Sequence, residues 1–260
     1  MNQAERRQYL IRELLNENRS YKKMQVPSGA AEQKRLLRSL MNVRWAAPLT
    51  EEFTQIQDAY LKEENEARGI LHLDELDEVQ PEIYLWQGDI TRLAVGAIVN
   101  AANSGMTGCY QPCHACIDNC IHTYAGIQLR NYCQVLMDRQ GHEEPTGQAK
   151  ITPAFNLPCR YVIHTVGPIV SGVLTERHER LLASCYRACL EAAEKEHLDS
   201  IAFCCISTGV FHFPNERAAE IAVQTVKDWK QETGSHLQVV FNVYKDEDLQ
   251  IYRRLLEKSL

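Results

Sequence analysis

The sequence predicts a layered α/β domain with a central, largely parallel sheet, preceded by a helical segment. From residue 83 onward, short apolar stretches of strand character alternate with longer stretches of helical periodicity, a pattern typical of strands connected by helices. The first 75 residues contain helical patterns alone. The composition, with 45% hydrophobic and 24% charged residues, is that of a folded globular chain.

Three amphipathic helices are predicted in an N-terminal extension, residues 1–75. They cover residues 1–18, 30–44 and 51–67, with breaks at Pro27 and Gly29 and at the stretch "AAPLT". Basic residues dominate positions 1–44 and acidic residues dominate positions 51–82. We therefore expect oppositely charged helical faces that attract each other; a basic arm that docks on a partner is the alternative.

The remaining chain, residues 76–260, carries the alternating pattern. Strands are predicted over residues 83–90, 96–103, 147–155, 161–169, 200–207 and 237–244. Helices are predicted over residues 119–136, 176–196, 215–229 and 246–258. Because α/β sheets bind ligands at the carboxyl ends of their strands, the loops that follow the strands are the candidate functional segments.

Charge and hydropathy restrict the partners. The formal net charge of −6 gives no electrostatic reason to expect nucleic acid. No stretch reaches the ~20 apolar residues of a membrane span, and "MNQAERRQYLIRELL" lacks the apolar run of a signal peptide. We therefore expect a cytoplasmic protein that is a monomer and has no nucleic-acid or membrane partner.

Four of the ten cysteines lie with two histidines in one short stretch, "GCYQPCHACIDNCIH", residues 108–122. In a reducing compartment, thiols stay free or bind metal. The stretch therefore predicts either a metal site or a set of small apolar fillers and redox targets. The six other cysteines are expected to be core residues, because a thiol packs as a small hydrophobe.

Two strand-end loops carry polar groups that suit a nucleoside. The first places Asp89 and Ile90 directly after a strand. The aspartate either caps the next turn or accepts a hydrogen bond from an exocyclic amine such as that of adenine. The second carries Asn100 and Asn103, whose amides suit sugar hydroxyls, with turn formation as the alternative.

A third loop follows a buried strand and leads into a helix N-terminus. Such a turn presents free backbone N–H groups to an anion and predicts a phosphate-binding loop. Phe211 and Phe213 either flank a ribose or base, or pack the helix onto the sheet. The candidate ligand-binding residues of this loop are Ser207, Thr208, Gly209, Val210 and Phe211.

Four motifs, taken in order, resemble the macrodomain family, which binds ADP-ribose. They are "GDITRLAVGAIVNAANS", "CIDNCIHTYAGIQLRNYC", "TGQAKITPAFNLPCRYVIHTVGP" and "IAFCCISTGVFHFP", and the resemblance runs from about Glu82 to the C-terminus. It implies a three-layer α/β/α sandwich with a central mixed sheet. It also implies that Asp89 contacts the adenine amine, that Asn100 and Asn103 contact the distal ribose, and that residues 207–211 wrap the diphosphate.

The segment before the helix departs from the usual family pattern. Where many macrodomains have a glycine run, this chain has His114-Ala115-Cys116, preceded by Cys109. This looks like the zinc-containing subclass of microbial macrodomains, whose pattern implies Zn²⁺ bound by Cys109, His114 and Cys116. Three ligands leave a fourth position open, as in catalytic zinc sites.

Other arrangements of the cysteines stay open. Cys109, Cys113, Cys116 and Cys120 form a possible closed Cys₄ site, with structural zinc or an iron–sulfur cluster. Binding of no metal is the remaining alternative.

The subclass resembles enzymes that remove mono-ADP-ribose from proteins, so we expect a zinc-dependent hydrolase with this activity. Asp118 and Asn103 are the candidate catalytic residues. Asp118 suits a general base or a group that orients water, although aspartate at a helix start is also a good cap.

Two other functions fit the same residues. One is a non-catalytic ADP-ribose-binding module with a structural zinc, and the other is a deacylase of O-acyl-ADP-ribose. The N-terminal helices, to which we assign no chemistry, are expected to cover one side of the cleft or to select the protein substrate.

Overall fold

The computed structural model describes residues 1–21 and 23–257. Residue 258, the last of the predicted final helix, lies outside the described residues. Within the described ranges, no helix is both long and apolar enough to cross a membrane.

Three helices form an N-terminal unit around one apolar cluster. They are α1 (Gln3–Glu17), α2 (Ala30–Val43) and α3 (Glu51–Ala67), close to the predicted bounds. The side chains of Asn2 and Thr50 cap α1 and α3. The buried cluster that joins the three helices also includes Ile127 from the rest of the chain, so the unit shares its core with the domain that follows.

Ion pairs connect the basic helices to the acidic one. Arg6 of α1 pairs with Glu63 of α3, and Lys34 of α2 pairs with Glu64 of α3. These contacts support the interpretation of oppositely charged helical faces. Each pair is partly exposed, and exposed ion pairs stabilise a fold by ~1 kcal/mol at most. The apolar core therefore contributes most of the energy that holds the three helices together.

The strands are β1 (Leu71–His72), β2 (Glu78–Gln80), β3 (Ile83–Gln87), β4 (Leu93–Ala94), β5 (Ala97–Ala102), β6 (Ala149–Pro153), β7 (Tyr161–Val166), β8 (Ser200–Phe203) and β9 (Gln238–Val243). Seven of them form the central sheet in the order β2-β3-β9-β8-β5-β7-β6, and β1 pairs with β4 apart from it. The five inner strands are parallel, whereas β2 and β6 are antiparallel to their neighbours at the two edges. The prediction did not include β1, β2 and β4, which are too short to show a period.

Helices cover both faces of this sheet. They are α4 (Ile117–Ala125), α5 (Ile127–Gln140), α6 (Glu176–Lys195), α7 (Asn215–Thr233) and α8 (Asp246–Glu257). The chain passes from β5 to β7 through α4, α5 and the edge strand β6, and it returns in the opposite direction to β8 through α6. Because crossovers between parallel strands are right-handed, connections in opposite directions lie on opposite faces. The predicted three-layer α/β/α sandwich with a mixed sheet is confirmed.

The helix predicted over residues 119–136 is in fact two helices. Gly126 separates α4 from α5 and has φ of +100°, a conformation that other residues rarely adopt. The prediction of one continuous helix was therefore wrong, because apolar periodicity continues across a glycine that the backbone uses as a corner.

Candidate nucleotide cleft and metal-binding loop

A cleft of about 650 Å³ opens at the carboxyl ends of the inner strands. The direction of the crossovers reverses between the neighbouring strands β5 and β8, and this is where α/β sheets form ligand crevices. The volume is within the ~300–1,000 Å³ of small-molecule sites. Of the predicted site residues, the cleft is lined by Asp89, Ile90, His114, Cys116, Ser207, Gly209, Val210 and Phe211.

Asp89 lies at one end of the cleft and is held there by three donors. Its Oδ1 accepts hydrogen bonds from the backbone N–H and the hydroxyl of Thr91, at 3.0 and 2.6 Å. Its Oδ2 accepts from Arg68, which belongs to the N-terminal extension. The guanidinium of Arg68 also stacks on the ring of Tyr124, 3.5 Å from the ring centroid, and Tyr124 lines the cleft. Asp89 is thus both a turn cap and a fixed acceptor that faces the cleft.

The loop after β8 has the properties of an anion site. Within the described part of the chain, the backbone N–H groups of Gly209, Val210 and Phe211 form no hydrogen bond. Ser207 has φ of +66° and a buried hydroxyl without a partner. Free N–H groups in a turn before a helix bind phosphate well. Phe213, in contrast, is a core residue with 1% exposure, and Thr208 does not line the cleft.

The loop of residues 108–116 brings the three predicted metal ligands together. The ligand atoms of Cys109, His114 and Cys116 all lie within 4.8 Å of one another. The Sγ of Cys109 is 3.5 Å from the Nδ1 of His114. Cys116 is also the N-cap of α4 and accepts the N–H of Asn119. All three ligands are half-buried, so a fourth ligand can reach them.

The spacing of these atoms fits tetrahedral zinc. With Zn–S near 2.3 Å and Zn–N near 2.0–2.1 Å, a tetrahedral ion holds sulfur and nitrogen ~3.5 Å apart, which is the Cys109–His114 distance. Burial raises the pKa of the Cys116 thiol to about 12. A thiol in that state stays protonated unless a bound cation displaces the proton, so zinc binding at this site would release protons.

The other two cysteines of the cluster have different partners. Cys113 Sγ lies 3.2 Å from the hydroxyl of Ser39, and Cys120 Sγ lies 3.6 Å from a guanidinium nitrogen of Arg38. Neither belongs to any group of three ligand atoms found within the described residues. The geometry therefore favours the three-ligand site over a closed Cys₄ site.

Asp118 follows the loop of residues 108–116 and is 5% exposed. Its Oδ1 accepts from Asn100 at 2.8 Å and its Oδ2 accepts from Asn103 at 3.3 Å. Burial raises the pKa of Asp118 to about 6, although the Asn100 hydrogen bond, the charge of Arg130 and the Asn103 hydrogen bond lower it. A carboxyl whose pKa is raised toward neutral pH is a better proton acceptor than an ordinary aspartate.

Asn100 does not face the cleft, which differs from the expected direct contact with a ribose. Its side chain is fully buried, and its Nδ2 bonds to Asp118 and to the Nδ1 of His164 at 3.1 Å. Through this hydrogen bond the Asn100 amide supports the Asp118 carboxylate. Asn103, in contrast, is exposed, and a ligand can reach it.

A buried histidine network continues from Asn100. Because the Asn100 amide donates to His164 Nδ1, the proton of this ring lies on Nε2, which contacts the Thr152 hydroxyl at 2.9 Å. His122 is also buried, with Nε2 3.6 Å from Asp118 Oδ1. His122, Cys133 and His164 form a second close group of ligand-type atoms, but both nitrogens of His164 already have partners.

Several cleft residues were not predicted. Arg38 from α2 and Tyr124 from α4 line the cleft, as do Cys204 and Cys205, which were expected to be core residues only. Arg38 and Arg68 also show that the N-terminal extension, to which no chemistry was assigned, reaches the site. No local pattern marks an arginine on a charged helix as a site residue, since contacts between distant segments decide it.

Comparison with known proteins identifies the family. A profile described as the macro domain matches residues 99–222. A "Protein-ADP-ribose hydrolase" of Treponema medium is 58% identical over 260 residues, covering 98% of this chain and 100% of the relative. The chain belongs to the macro domain family.

Solved structures of the macro domain family have the same fold. The Oceanobacillus iheyensis macrodomain with ADP has 37% identity and a TM-score of 0.64, and the match covers 71% of this chain and 95% of that one. The Trypanosoma brucei macrodomain in complex with ADP-ribose has 28% identity and a TM-score of 0.66, and the match covers 84% of this chain and 94% of that one.

Proposed function

We propose that this macro domain protein is a zinc-dependent hydrolase that removes mono-ADP-ribose from modified proteins. The observation that carries the proposal is the position of the Cys109, His114 and Cys116 group at a cleft that also has a free anion-binding loop. A relative that covers the whole chain is named a protein-ADP-ribose hydrolase, and a structural relative binds ADP-ribose. Removal of ADP-ribose is the activity best supported by these facts.

The cleft residues would bind the two ends of the ligand. Asp89 would accept the adenine amine, with Ile90 and Tyr124 against the base. The N–H groups of Gly209, Val210 and Phe211 would hold the diphosphate, together with Ser207. This binding energy, far from the reacting bond, fixes the anomeric carbon of the distal ribose beside the loop of residues 108–116.

The hydrolysis step replaces one bond at the anomeric carbon. Water adds its oxygen to this carbon, the bond to the protein side chain breaks, and the side chain leaves with a proton. Asp118 would take this proton from water and pass it to the departing side chain, which regenerates the carboxylate, and Asn103 would orient the ribose hydroxyls and the Asp118 carboxylate. Asn100 keeps Asp118 in place through the 2.8 Å hydrogen bond.

Cys109, His114 and Cys116 would hold the metal. Zn²⁺, when bound, supplies a Lewis acid that polarises oxygen at the distal ribose. The thiol of Cys113 is not needed for this set, because its contacts are with Ser39 and with the backbone carbonyl of Arg35.

The test is release of ADP-ribose from a mono-ADP-ribosylated protein, before and after metal removal, with zinc content and folding measured in parallel. We expect turnover to stop in a folded, zinc-free protein and to return with zinc. Cys109→Ser should lose zinc and turnover, whereas Cys113→Ser, a matched change in the same loop, should keep zinc.

Other outcomes point elsewhere. Full turnover by the folded, metal-free protein would overturn zinc dependence. Binding of ADP-ribose without turnover in any metal state would identify a binding module, and turnover of O-acyl-ADP-ribose alone would identify a deacylase.

A further inference from the structure

One face of α2 contacts the metal-binding loop directly. Arg38, Ser39 and Asn42 occupy this face, at positions that lie together on a helix. Each reaches a different part of the loop or of the α4 helix behind it. The loop is thus held between α4 of the macrodomain and α2 of the N-terminal extension.

Arg38 makes the central contact. Its Nη2 donates to the backbone carbonyl of His114 at 2.8 Å and to Asn119 Oδ1 at 2.9 Å. Asn119 in turn donates to the carbonyls of Cys109 and Gln111, at 3.4 and 2.9 Å. One guanidinium nitrogen therefore connects the segments that carry two of the three proposed ligands.

Asn42 and Ser39 fix the middle of the loop. Asn42 Oδ1 accepts the N–H of Cys113 at 2.9 Å, and its Nδ2 donates to Thr123 of α4 at 3.0 Å. Cys113 has φ of +52°, a backbone conformation that is uncommon for a residue other than glycine. A side-chain hydrogen bond to its N–H stabilises this turn directly.

The charge of Arg38 has no carboxylate partner in the described ranges of the chain. Its Nε is buried without a hydrogen bond, and the residue lines the cleft. Arg38 is half-buried, and a partly buried charge without an ionic partner costs free energy, so a purely structural residue at this position would more simply be apolar. This cost in free energy is offset if Arg38 holds the loop of residues 108–116 in the conformation that binds the metal.

We propose that Arg38 is a positioning residue of the zinc site, by which the N-terminal helices set the shape of the loop that binds the metal. The inference rests on the proposed zinc site. A loop that is already ordered loses less conformational entropy when it binds metal. Removal of a group that orients metal ligands commonly weakens metal binding by ~10–100-fold.

The experiment measures zinc affinity of the full chain by competition with a chromophoric chelator, in the absence of substrate. We expect Arg38→Met to bind zinc at least ~10-fold more weakly than the parent, and Arg38→Lys to recover part of the loss because it keeps one donor. Arg35→Met is the matched control. Arg35 lies one turn earlier on α2, and its exposed side chain forms no hydrogen bond or ion pair within the described residues.

Ser39→Ala gives a second, milder variant that removes only the Cys113 contact. We expect it to weaken zinc binding by a few-fold with an unchanged unfolding temperature. Equal zinc affinity of Arg38→Met, Ser39→Ala and the parent would overturn the positioning role and leave the zinc site intact. A parent that binds no zinc would overturn both. Because no substrate is present, neither result depends on the hydrolase activity.

Discussion

Replacement of His164 by asparagine should make the protein less sensitive to acid. His164 is fully buried, and burial lowers its pKa from 6.5 to about 3. The folded protein therefore keeps this ring neutral at pH 5, whereas the unfolded chain protonates it. The contribution of His164 to the free energy of unfolding is therefore fully present above pH 6.5. It is lost as the pH falls toward 3, because the unfolded chain takes up a proton that the folded protein does not.

The size of the effect follows from proton uptake by the unfolded chain. Between pH 7 and pH 5, an unfolded histidine with a pKa near 6.5 passes from mostly neutral to almost fully charged, which lowers the free energy of the unfolded state by ~2 kcal/mol. Asparagine has no proton to gain. Its Oδ1 can still accept the Asn100 hydrogen, so the network that supports Asp118 keeps one of its bonds.

Urea unfolding at pH 7 and pH 5 measures this directly. The parent should lose ~2 kcal/mol more than His164→Asn between the two pH values, even though the variant is less stable at both, because it leaves a cavity. His197→Asn, at an exposed position with φ of +51°, is the control and should behave as the parent does. Equal losses in the parent and in His164→Asn would refute the claim that the buried ring stays neutral.

The remaining predictions concern the cleft and its loop. Gly108→Ala should lower the unfolding temperature and weaken zinc binding, because φ is +87° and an added Cβ would lie 2.9 Å from the ring of His122. Arg68→Met should weaken ADP binding, measured by calorimetry, by ~3–10-fold, since Asp89 loses one of the three donors that fix its carboxylate. Val210→Asp should weaken ADP binding by a similar factor without changing stability, because Val210 is 63% exposed and the new charge would repel the diphosphate.

Much of the fold follows from local sequence patterns. Buried strands such as β5 and β9 are short, mostly apolar stretches, and amphipathic helices such as α6 have clear apolar stripes, so their positions can be read from the sequence. The strands β1, β2 and β4 have only two or three residues, which is too few for an alternation of apolar and polar residues to be recognised. The corner at Gly126 was missed because the apolar face of α4 continues into α5, while the backbone at the glycine does not.

The residues of the candidate site likewise fall into those predictable from local sequence and those that depend on contacts between distant segments. Cys109, His114 and Cys116 lie within eight residues, so local spacing brings them together, and the loop after β8 follows from the strand-to-helix turn. The burial of Asn100 depends on its packing against Asp118 of α4 and His164 of β7. The presence of Arg38 in the cleft depends on packing of α2 against a segment over 70 residues later. Single-sequence patterns do not contain such long-range contacts.

The presence of Arg38 in the cleft has a consequence for the design of selective inhibitors. The guanidinium belongs to α2, so part of the cleft wall is supplied by the N-terminal helices. The Oceanobacillus macrodomain matches only 71% of this chain while almost its whole length is covered. A compound that fills the nucleotide cleft and places a hydrogen-bond acceptor near Arg38 would gain a contact that macrodomains without these helices do not offer. The selectivity of such a compound would come from its contact with the N-terminal helices.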